Sequence, residues 1–322
     1  MHIYKYFSSY LLLSLVLTVV FSFPAQAAAL RVIIVIDADD SSIGAAVDAR
    51  NIENLAEDIA KSTNLTLHRE IIKIEGELAA TSRQPGRGNE FIKQAIEKLP
   101  VEQDDVVIFY YSGHGIGGND PKWPGLAVEG GLTPTHRLLE MSWVKDTLWE
   151  KQPRLLLVIV DACNNFGTIP PPHDGRKTPF FLPSIYPQLF LRYQGYLLAS
   201  SSKRGEYSIG GLGGGAFTNR FLRELKIEQA STQPPRWENI VSRMDGKPII
   251  IDDENKQHPQ FDASQLRPSV PNDPPNGPNP PVVPPKTPVT QLTCADGPKA
   301  YYPKDGKQCC LIKGGNGKLY CK

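Results

Sequence analysis

The chain has 322 residues, 40% of them hydrophobic, and a formal net charge of +1 at pH 7. This length suits one large domain with smaller additions. A charge so near zero lacks the basic surface typical of nucleic-acid-binding proteins, so we expect no nucleic-acid partner.

Residues 1–27 are predicted to be a secretory signal peptide. Lys5 supplies the positive flank, residues 11–23 form a short apolar segment, and a small-x-small cleavage pattern ends at Ala27. The mature chain would begin near Ala28 and be secreted or periplasmic. The alternative is an uncleaved membrane anchor, which would still leave the rest of the chain exported.

Strand and helix patterns alternate through residues 28–266, the predicted main domain. The strands are predicted at 31–36, 65–74, 105–111, 155–160, 194–200 and 248–252, and the helices at 43–61, 89–99, 138–150, 216–225 and 237–244. Residues 116–136, which contain several Gly and Pro, are predicted to be a long loop or hairpin, and residues 166–187 a long, Pro-rich loop. Several strands are unbroken apolar runs, which are typical of strands buried on both faces of a parallel sheet. The pattern therefore predicts a three-layer α/β domain with a mostly parallel central sheet.

The end of the chain has a different composition. Residues 267–291 are dominated by Pro and Asn and lack apolar periodicity, which predicts a stiff, extended linker. Residues 292–322 are too few for a sizeable core, so we expect disulfides to staple them into a small module. The candidate cysteines are Cys294, Cys309, Cys310 and Cys321. Two pairings stay open: Cys294 with Cys309 and Cys310 with Cys321, or Cys294 with Cys310 and Cys309 with Cys321. A zinc site is less expected, because the C-x2-C spacing is missing.

Two of the buried strands end in residues that can carry chemistry. The strand at 105–111 is followed by Ser112 and, two residues later, by His114; the strand at 155–160 is followed by Asp161 and then Cys163. The carboxyl ends of parallel strands share one edge of a sheet, where α/β proteins bind ligands. Cys163 is also the odd cysteine outside the C-terminal group. A nucleophile with a neighbouring base is therefore the leading hypothesis.

The segments around these residues resemble the catalytic signature of the caspase-like peptidases, and the bacterial metacaspase-type branch is the nearer likeness. The matching segments are 111–115 and 160–165, with further similarity at 43–49, 197–208 and 214–218. The segments occur in the family's order, and the likeness spans roughly residues 30–262. The resemblance implies a caspase-like sandwich fold and a cysteine endopeptidase acting on proteins or peptides, with no organic cofactor.

The resemblance also implies roles for individual residues. Cys163 would be the nucleophile, and His114 the general base that later protonates the leaving amine. The backbone N–H groups of Gly115 and Cys163 would form the oxyanion hole. The alternatives are a buried inert thiol and a loop histidine without a catalytic task. One departure is Asn164-Asn165 after the cysteine, where the family often has His-Ser, which leaves the substrate contacts there in question.

Substrate preference is expected to depend on acids near the nucleophile. In metacaspase-like enzymes the residue matching Asp161 selects Arg or Lys before the scissile bond by charge pairing. Ser112 matches a second pocket position, and Asp37 and Asp39, at the end of the first strand, are both candidates for an assisting acid. The alternative for Asp161 is that it caps a turn or a helix N-terminus.

Calcium binding and self-cleavage are two further properties to consider. Many metacaspases need calcium, and acidic runs occur at 37–40 and 251–254, but neither has the spacing of a dedicated calcium loop, and no other metal site is expected. Arg176 or Lys177, in the loop after the nucleophile, is a candidate self-cleavage point.

The C-terminal module contains several tyrosines. If they are exposed, we expect them to bind an envelope or extracellular partner; the alternative is that they form the small core of the module itself. The rival functions are an inactive caspase-like scaffold with a binding tail, and an amidase of small amides.

Overall fold

A computed structural model describes residues 28–38, 41–74, 87–128, 138–165, 185–250 and 256–269, together with three short strands between 301 and 321. The chain divides into two compact units, Met1–Asn272 and Asp273–Lys322. None of the helices in the described ranges combines the length and hydrophobicity needed to cross a bilayer.

The strands of the first unit are numbered in chain order. They are β1 (Ala29–Asp37), β2 (Thr66–Ile74), β3 (Val106–Ser112), β4 (Gly115–Gly117), β5 (Pro124–Leu126), β6 (Leu139–Glu140), β7 (Leu155–Asp161), β8 (Tyr193–Ser200), β9 (Ile249–Ile250), β10 (Lys256–Gln257), β11 (Gln260–Asp262) and β12 (Arg267–Pro268). The helices are α1 (Ala45–Thr63), α2 (Arg87–Lys98), α3 (Met141–Trp149), α4 (Ala216–Gln229) and α5 (Trp237–Met244), with a 3-10 turn at Ser41–Ile43 and a π-helical turn at Pro187–Leu191.

The central sheet has the strand order β11-β8-β7-β3-β1-β2, with β12 also pairing with β8. The five strands from β8 to β2 are mutually parallel, whereas β11 and β12 run antiparallel to β8. Every residue of β1, β3 and β7 is buried, because helices cover both faces of the sheet.

Two hydrophobic clusters show the layering. On one face, Ile34 of β1 belongs to a cluster with Ile52 of α1 and Phe221 of α4; on the other face, Val35 lies in a cluster with Ile92 of α2 and Val144 of α3. Adjacent residues of one strand thus pack against opposite helix layers, as the alternation of strand side chains requires. The predicted three-layer α/β fold with a mostly parallel sheet is confirmed.

Several local elements differ from the sequence prediction. Within 116–136, predicted as a long loop or hairpin, β5 pairs with β4 as a hairpin would, and it also pairs with β6, so the segment contributes to a small antiparallel sheet. Of the last predicted strand, 248–252, residues Ile249–Ile250 form β9, which pairs with β10, and residues 251 and 252 lie outside the described ranges. The edge of the central sheet is instead β11. These elements are two or three residues long, too short for a hydrophobic period to develop.

The second unit contains three antiparallel strands, β13 (Tyr301–Lys304), β14 (Lys307–Leu311) and β15 (Leu319–Cys321). In this register Cys309 lies opposite Cys321. The side chains of this unit, Cys294 and the predicted disulfide pairing lie outside what the structure describes.

Candidate functional site

The candidate site lies at the carboxyl ends of three adjacent strands. Ser112, the last residue of β3, is in register with Asp161, the last residue of β7, and with Ile36 of β1, which directly precedes Asp37. His114 and Cys163 each follow two residues after these strand ends. The register therefore directs both residues to the same edge of the sheet.

The two chain segments beyond the strands continue side by side. The backbone N–H of Gly113 donates to the Asp161 carbonyl at 3.2 Å, and the N–H of Gly117 donates to the Asn165 carbonyl at 2.8 Å. Between these bonds, a Cβ placed on Gly115 would lie 2.6 Å from the carbonyl oxygen of Cys163. A glycine is needed at 115 because any side chain would push the segment carrying His114 away from the segment carrying Cys163.

His114 is buried, with 8% of its surface exposed. Its Nε2 atom lies 4.0 Å from Oδ2 of Asp37, which is also buried. The carbonyl of His114 accepts hydrogen bonds from the Tyr111 hydroxyl at 2.7 Å and from the Ala127 N–H at 3.0 Å. These contacts fix the turn that carries the imidazole, and they place the Asp37 carboxylate on one side of the ring.

Cys163 is a free, half-buried cysteine. The backbone N–H of Ser208 donates to its sulfur at 3.3 Å, and the thiol is 3.6 Å from the Ser208 carbonyl. Burial raises the pKa of the Cys163 thiol to about 11, although the Ser208 N–H acts in the opposite direction. The resting group is therefore a thiol at neutral pH, and it needs a base before it can act as a nucleophile.

Asp161 makes its contacts inside the protein. Its Oδ1 atom accepts a hydrogen bond from the Ser208 hydroxyl at 2.5 Å, and its Oδ2 atom accepts from the Thr218 N–H at 3.0 Å and the Thr218 hydroxyl at 2.7 Å. Thr218 is in the first turn of α4. The carboxylate thus caps the N-terminus of this helix. Helix capping was the alternative role predicted for Asp161 from the sequence. Burial nevertheless raises the pKa of Asp161.

Asp48 is a second buried acid beside this group, and the sequence analysis missed it as a candidate site residue. It is fully buried on α1 and accepts hydrogen bonds from the Ser112 hydroxyl at 2.8 Å and from the Gly215 N–H at 2.9 and 3.0 Å. Burial and the neighbouring Asp161 raise its pKa well above the ordinary value. A signal was present in the sequence, because Asp48 is a lone acid on the apolar face that includes Ala45, Ala49 and Ile52.

Asp48 and Asp161 meet at Gly215. A Cβ at this position would lie 2.0 Å from Oδ2 of Asp161, while the Gly215 N–H already donates to both Asp48 oxygens. Only a glycine leaves room for the two carboxylates and the backbone. Neither acid forms an ion pair within the described residues. Two buried carboxylates without a cation are suited to receive a positively charged group from outside.

The two asparagines after Cys163 have structural contacts. Asn164 is fully buried, its Nδ2 atom donates to the Lys122 carbonyl at 2.8 Å, and its N–H donates to the Glu206 carbonyl at 3.0 Å. These bonds hold the loop at 203–208 against the cysteine segment. The Asn165 side-chain Nδ2 is buried without a hydrogen-bond partner.

Other predicted site residues lie outside the described ranges, namely Asp39, Arg176, Lys177 and the acidic run at 251–254. Within the described ranges, no group of three or more His, Cys, Asp or Glu side chains is arranged to hold a metal ion.

Comparison with known proteins gives a family match. The profile of the caspase domain, peptidase family C14, matches residues 32–271. Among solved structures, the fold is similar to caspase-1 from Spodoptera frugiperda, with 14% sequence identity, a TM-score of 0.42, and coverage of 74% of this chain and 88% of that one. No curated protein sequence matches significantly.

Proposed function

The chain belongs to the caspase domain family, whose members are cysteine peptidases, and on that premise we propose that it is an exported endopeptidase in which His114 and Cys163 cleave peptide bonds after Arg or Lys. The observation that carries this proposal is the register of β3 and β7, which pairs Ser112 with Asp161. His114 and Cys163 follow at equal distances along the chain.

The raised pKa of Cys163 supports general-base catalysis. A thiol with a pKa of about 11 is protonated at neutral pH, so a preformed thiolate is not the starting point. His114 takes the thiol proton as the sulfur attacks the peptide carbonyl, and the S–C bond forms a tetrahedral oxyanion. The positive charge that develops on the imidazole is stabilised by the Asp37 carboxylate, 4.0 Å away.

The remaining steps use groups that lie beside the sulfur. The oxyanion accepts hydrogen bonds from the N–H groups of Gly115 and Cys163, whose backbones run together. His114 then returns its proton to the leaving amine as the C–N bond breaks, leaving a thioester. Water, deprotonated by the same imidazole, hydrolyses the thioester and regenerates the thiol.

The preference for a basic side chain rests on the two buried acids. Asp48, Ser112 and Asp161 together form an acid pocket, the name kept below for these three residues. An Arg or Lys side chain supplies the cation that these carboxylates lack among the described residues. An acidic substrate side chain would instead be repelled and left desolvated.

A peptide assay tests this function. The mature protein is expected to hydrolyse fluorogenic peptides with Arg or Lys before the reporter, and to spare peptides with Asp or with citrulline, the neutral isostere of Arg. Cys163→Ala and His114→Ala should abolish hydrolysis. Asp161→Asn should lower kcat/KM for Arg peptides by about tenfold or more through loss of a charge-assisted contact. Asp104→Asn, in an exposed turn, is the matched control that keeps wild-type activity.

The rival functions give different results in the same assay. Equal signals from the wild type and Cys163→Ala would remove the enzyme assignment and favour an inactive scaffold. Hydrolysis of small neutral amides that basic peptides fail to inhibit would favour an amidase.

We further propose that the enzyme processes itself at Arg176 or Lys177. Both residues follow Cys163 in a long segment and match the basic preference of the acid pocket. Intact mass spectrometry of the purified protein should show two fragments for the wild type and one chain for Cys163→Ala. Identical intact masses would contradict self-processing.

We also propose that the protein is exported and loses its N-terminal segment. Residues 1–27 have the composition of a cleaved signal, so N-terminal sequencing of the exported protein should begin near Ala28.

The three-stranded unit at the C-terminus is proposed to bind an envelope or extracellular partner. The full chain should then bind envelope fractions more strongly than a chain ending at residue 272, and equal binding would contradict this role.

A further inference from the structure

We propose that the acid pocket, before substrate binds, holds one proton on Asp48 while Asp161 is ionised, and that a cationic substrate side chain expels this proton when it binds. The inference rests on the proposed function, because it concerns the same pocket. It adds a proton-release step that couples recognition of a basic residue to pH.

The two carboxylates of the acid pocket lie close together. Both are in contact with Gly215: its N–H donates to Asp48, and its Cα has no room for a Cβ because Asp161 Oδ2 would be only 2.0 Å away. Asp48 is 0% exposed and Asp161 5% exposed. Two negative charges that contact the same glycine and are shielded from water repel each other strongly, so one carboxyl group retains its proton.

Among the described residues, no positively charged group compensates the two acids. The titratable groups facing the two acids are the Tyr110 hydroxyl from β3 and the Cys163 thiol from the segment that follows β7. Burial raises the pKa of both, so neither is charged at neutral pH, and neither supplies a positive charge at any pH. The remaining contacts come from the neutral side chains of Ser112, Ser208 and Thr218.

The hydrogen bonds of the two acids assign the proton to Asp48. Asp161 accepts hydrogen bonds from Ser208 and, twice, from Thr218 at the N-terminus of α4, and all of these favour its ionised form. Asp48 is buried more completely, and among the described residues it accepts hydrogen bonds from one hydroxyl and one backbone N–H, that of Gly215, whereas Asp161 accepts from two hydroxyls and one backbone N–H. When Asp48 is protonated, its O–H can donate to the Ser112 oxygen, which lies 2.8 Å away, because a serine hydroxyl both donates and accepts.

The proton balance of binding follows from these assignments. A guanidinium stays protonated under all ordinary conditions, so it enters with its full positive charge. That charge favours ionisation of Asp48: the O–H bond breaks, the proton leaves to the buffer, and both carboxylates pair with the guanidinium. Citrulline has the same shape but no charge, so its entry leaves the proton on Asp48.

Calorimetry in buffers of different ionisation enthalpy measures this proton directly. The protein is full-length mature Cys163→Ala, which binds peptide without cleaving it, and the ligands are paired Arg and citrulline peptides. Release should approach about one proton per Arg peptide at pH values where Asp48 is protonated, fall toward zero as the pH rises, and stay near zero for citrulline. In Cys163→Ala with Asp48→Asn, the Arg peptide should bind without release and with an affinity that no longer changes with pH.

The outcomes separate this inference from the proposed function. Binding of the Arg peptide without proton release at any pH would overturn the inference alone. Release that persists in the Asp48→Asn protein would also overturn it, because another group would be the source. Failure of folded protein to bind any Arg peptide would overturn the acid pocket and the inference together.

Infrared difference spectroscopy of Cys163→Ala, which keeps Asp48, provides a second measurement. The band of a protonated carboxylic acid should disappear when the Arg peptide binds, and persistence of this band would contradict the inference.

Discussion

Ser208 holds Cys163 through its backbone: its N–H donates to the Cys163 sulfur at 3.3 Å. The hydroxyl of the same serine donates to Asp161 at 2.5 Å. One residue therefore touches both the proposed nucleophile and the acid proposed to select the substrate. A displacement of the loop at 203–208 would alter the two sites together.

The thiol of Cys163 is expected to react slowly with alkylating reagents at neutral pH. Burial raises its pKa to about 11, so the reactive thiolate is scarce there. Below that pKa the rate constant for iodoacetamide should rise about tenfold per pH unit. The measurement is the labelled fraction of the Cys163-containing peptide by mass spectrometry, with the same sequence as a free peptide for control. A rate that levels off below pH 8 would instead indicate a preformed thiolate–imidazolium pair.

Asp37→Asn is expected to lower kcat by about tenfold and to leave KM unchanged, because the variant removes a charge that stabilises the imidazolium formed during reaction. The basis is the distance of 4.0 Å between Asp37 Oδ2 and His114 Nε2. Steady-state kinetics with Arg peptides measures the effect, and Asp104→Asn is again the control. A raised KM with unchanged kcat would place Asp37 in substrate binding, the other role suggested by the sequence.

Gly215→Ala is expected to damage the acid pocket. The added methyl group would lie 2.0 Å from Asp161, so the carboxylate or the start of α4 must move, at a cost of about 1–3 kcal/mol in the free energy of unfolding. Cleavage of Arg peptides should fall below detection. Gly246→Ala is the control, since that glycine has φ +63° and open space around it. It should lose about 1 kcal/mol through backbone strain while keeping activity. Full activity in Gly215→Ala would contradict the pocket.

The amino-terminal edge of the sheet provides a stability test independent of catalysis. The Arg31 guanidinium pairs with Asp105 at 2.5 Å, and both side chains are almost fully buried. Asp105→Ala leaves this charge without a partner and should reduce the free energy of unfolding by about 3–5 kcal/mol. Urea denaturation measures the loss. The double variant Arg31→Met with Asp105→Leu should recover part of it, and no recovery would argue against an uncompensated charge as the cause.

The sheet was predictable where the strands were long and fully apolar. Leu155–Asp161 begins as an unbroken apolar run, and such a run needs cover on both faces, which only a central strand has. The fold class followed from a few such strands and the helices between them. The direction of the strand ends followed as well, which is why Ser112 and Asp161 could be expected at one edge.

The features that were not predicted from the sequence depend on contacts between residues far apart in the chain. Helix α4 was predicted to end at residue 225 but continues to Gln229, because Glu228 bonds to Arg243 of α5 at 2.8 Å. Apart from Asp37, the site residue nearest to Asp48 in the sequence is Ser112, 64 positions away, and the packing of α1 against Gly215 brings Asp48 to Asp161. The capping contact of Asp161 likewise depends on where α4 begins. Local periodicity contains none of this information.

Strands β11 and β12 have a consequence for association. They pair antiparallel with β8, so the main-chain groups on that margin of the sheet are already taken up by residues of the same polypeptide. A second copy could pair with β8 only after residues 260–262 and 267–268 were displaced. With the fold intact, the strand offered to a neighbour on this side is β11, which is three residues long, so any side-by-side joining there would rest on a short ladder.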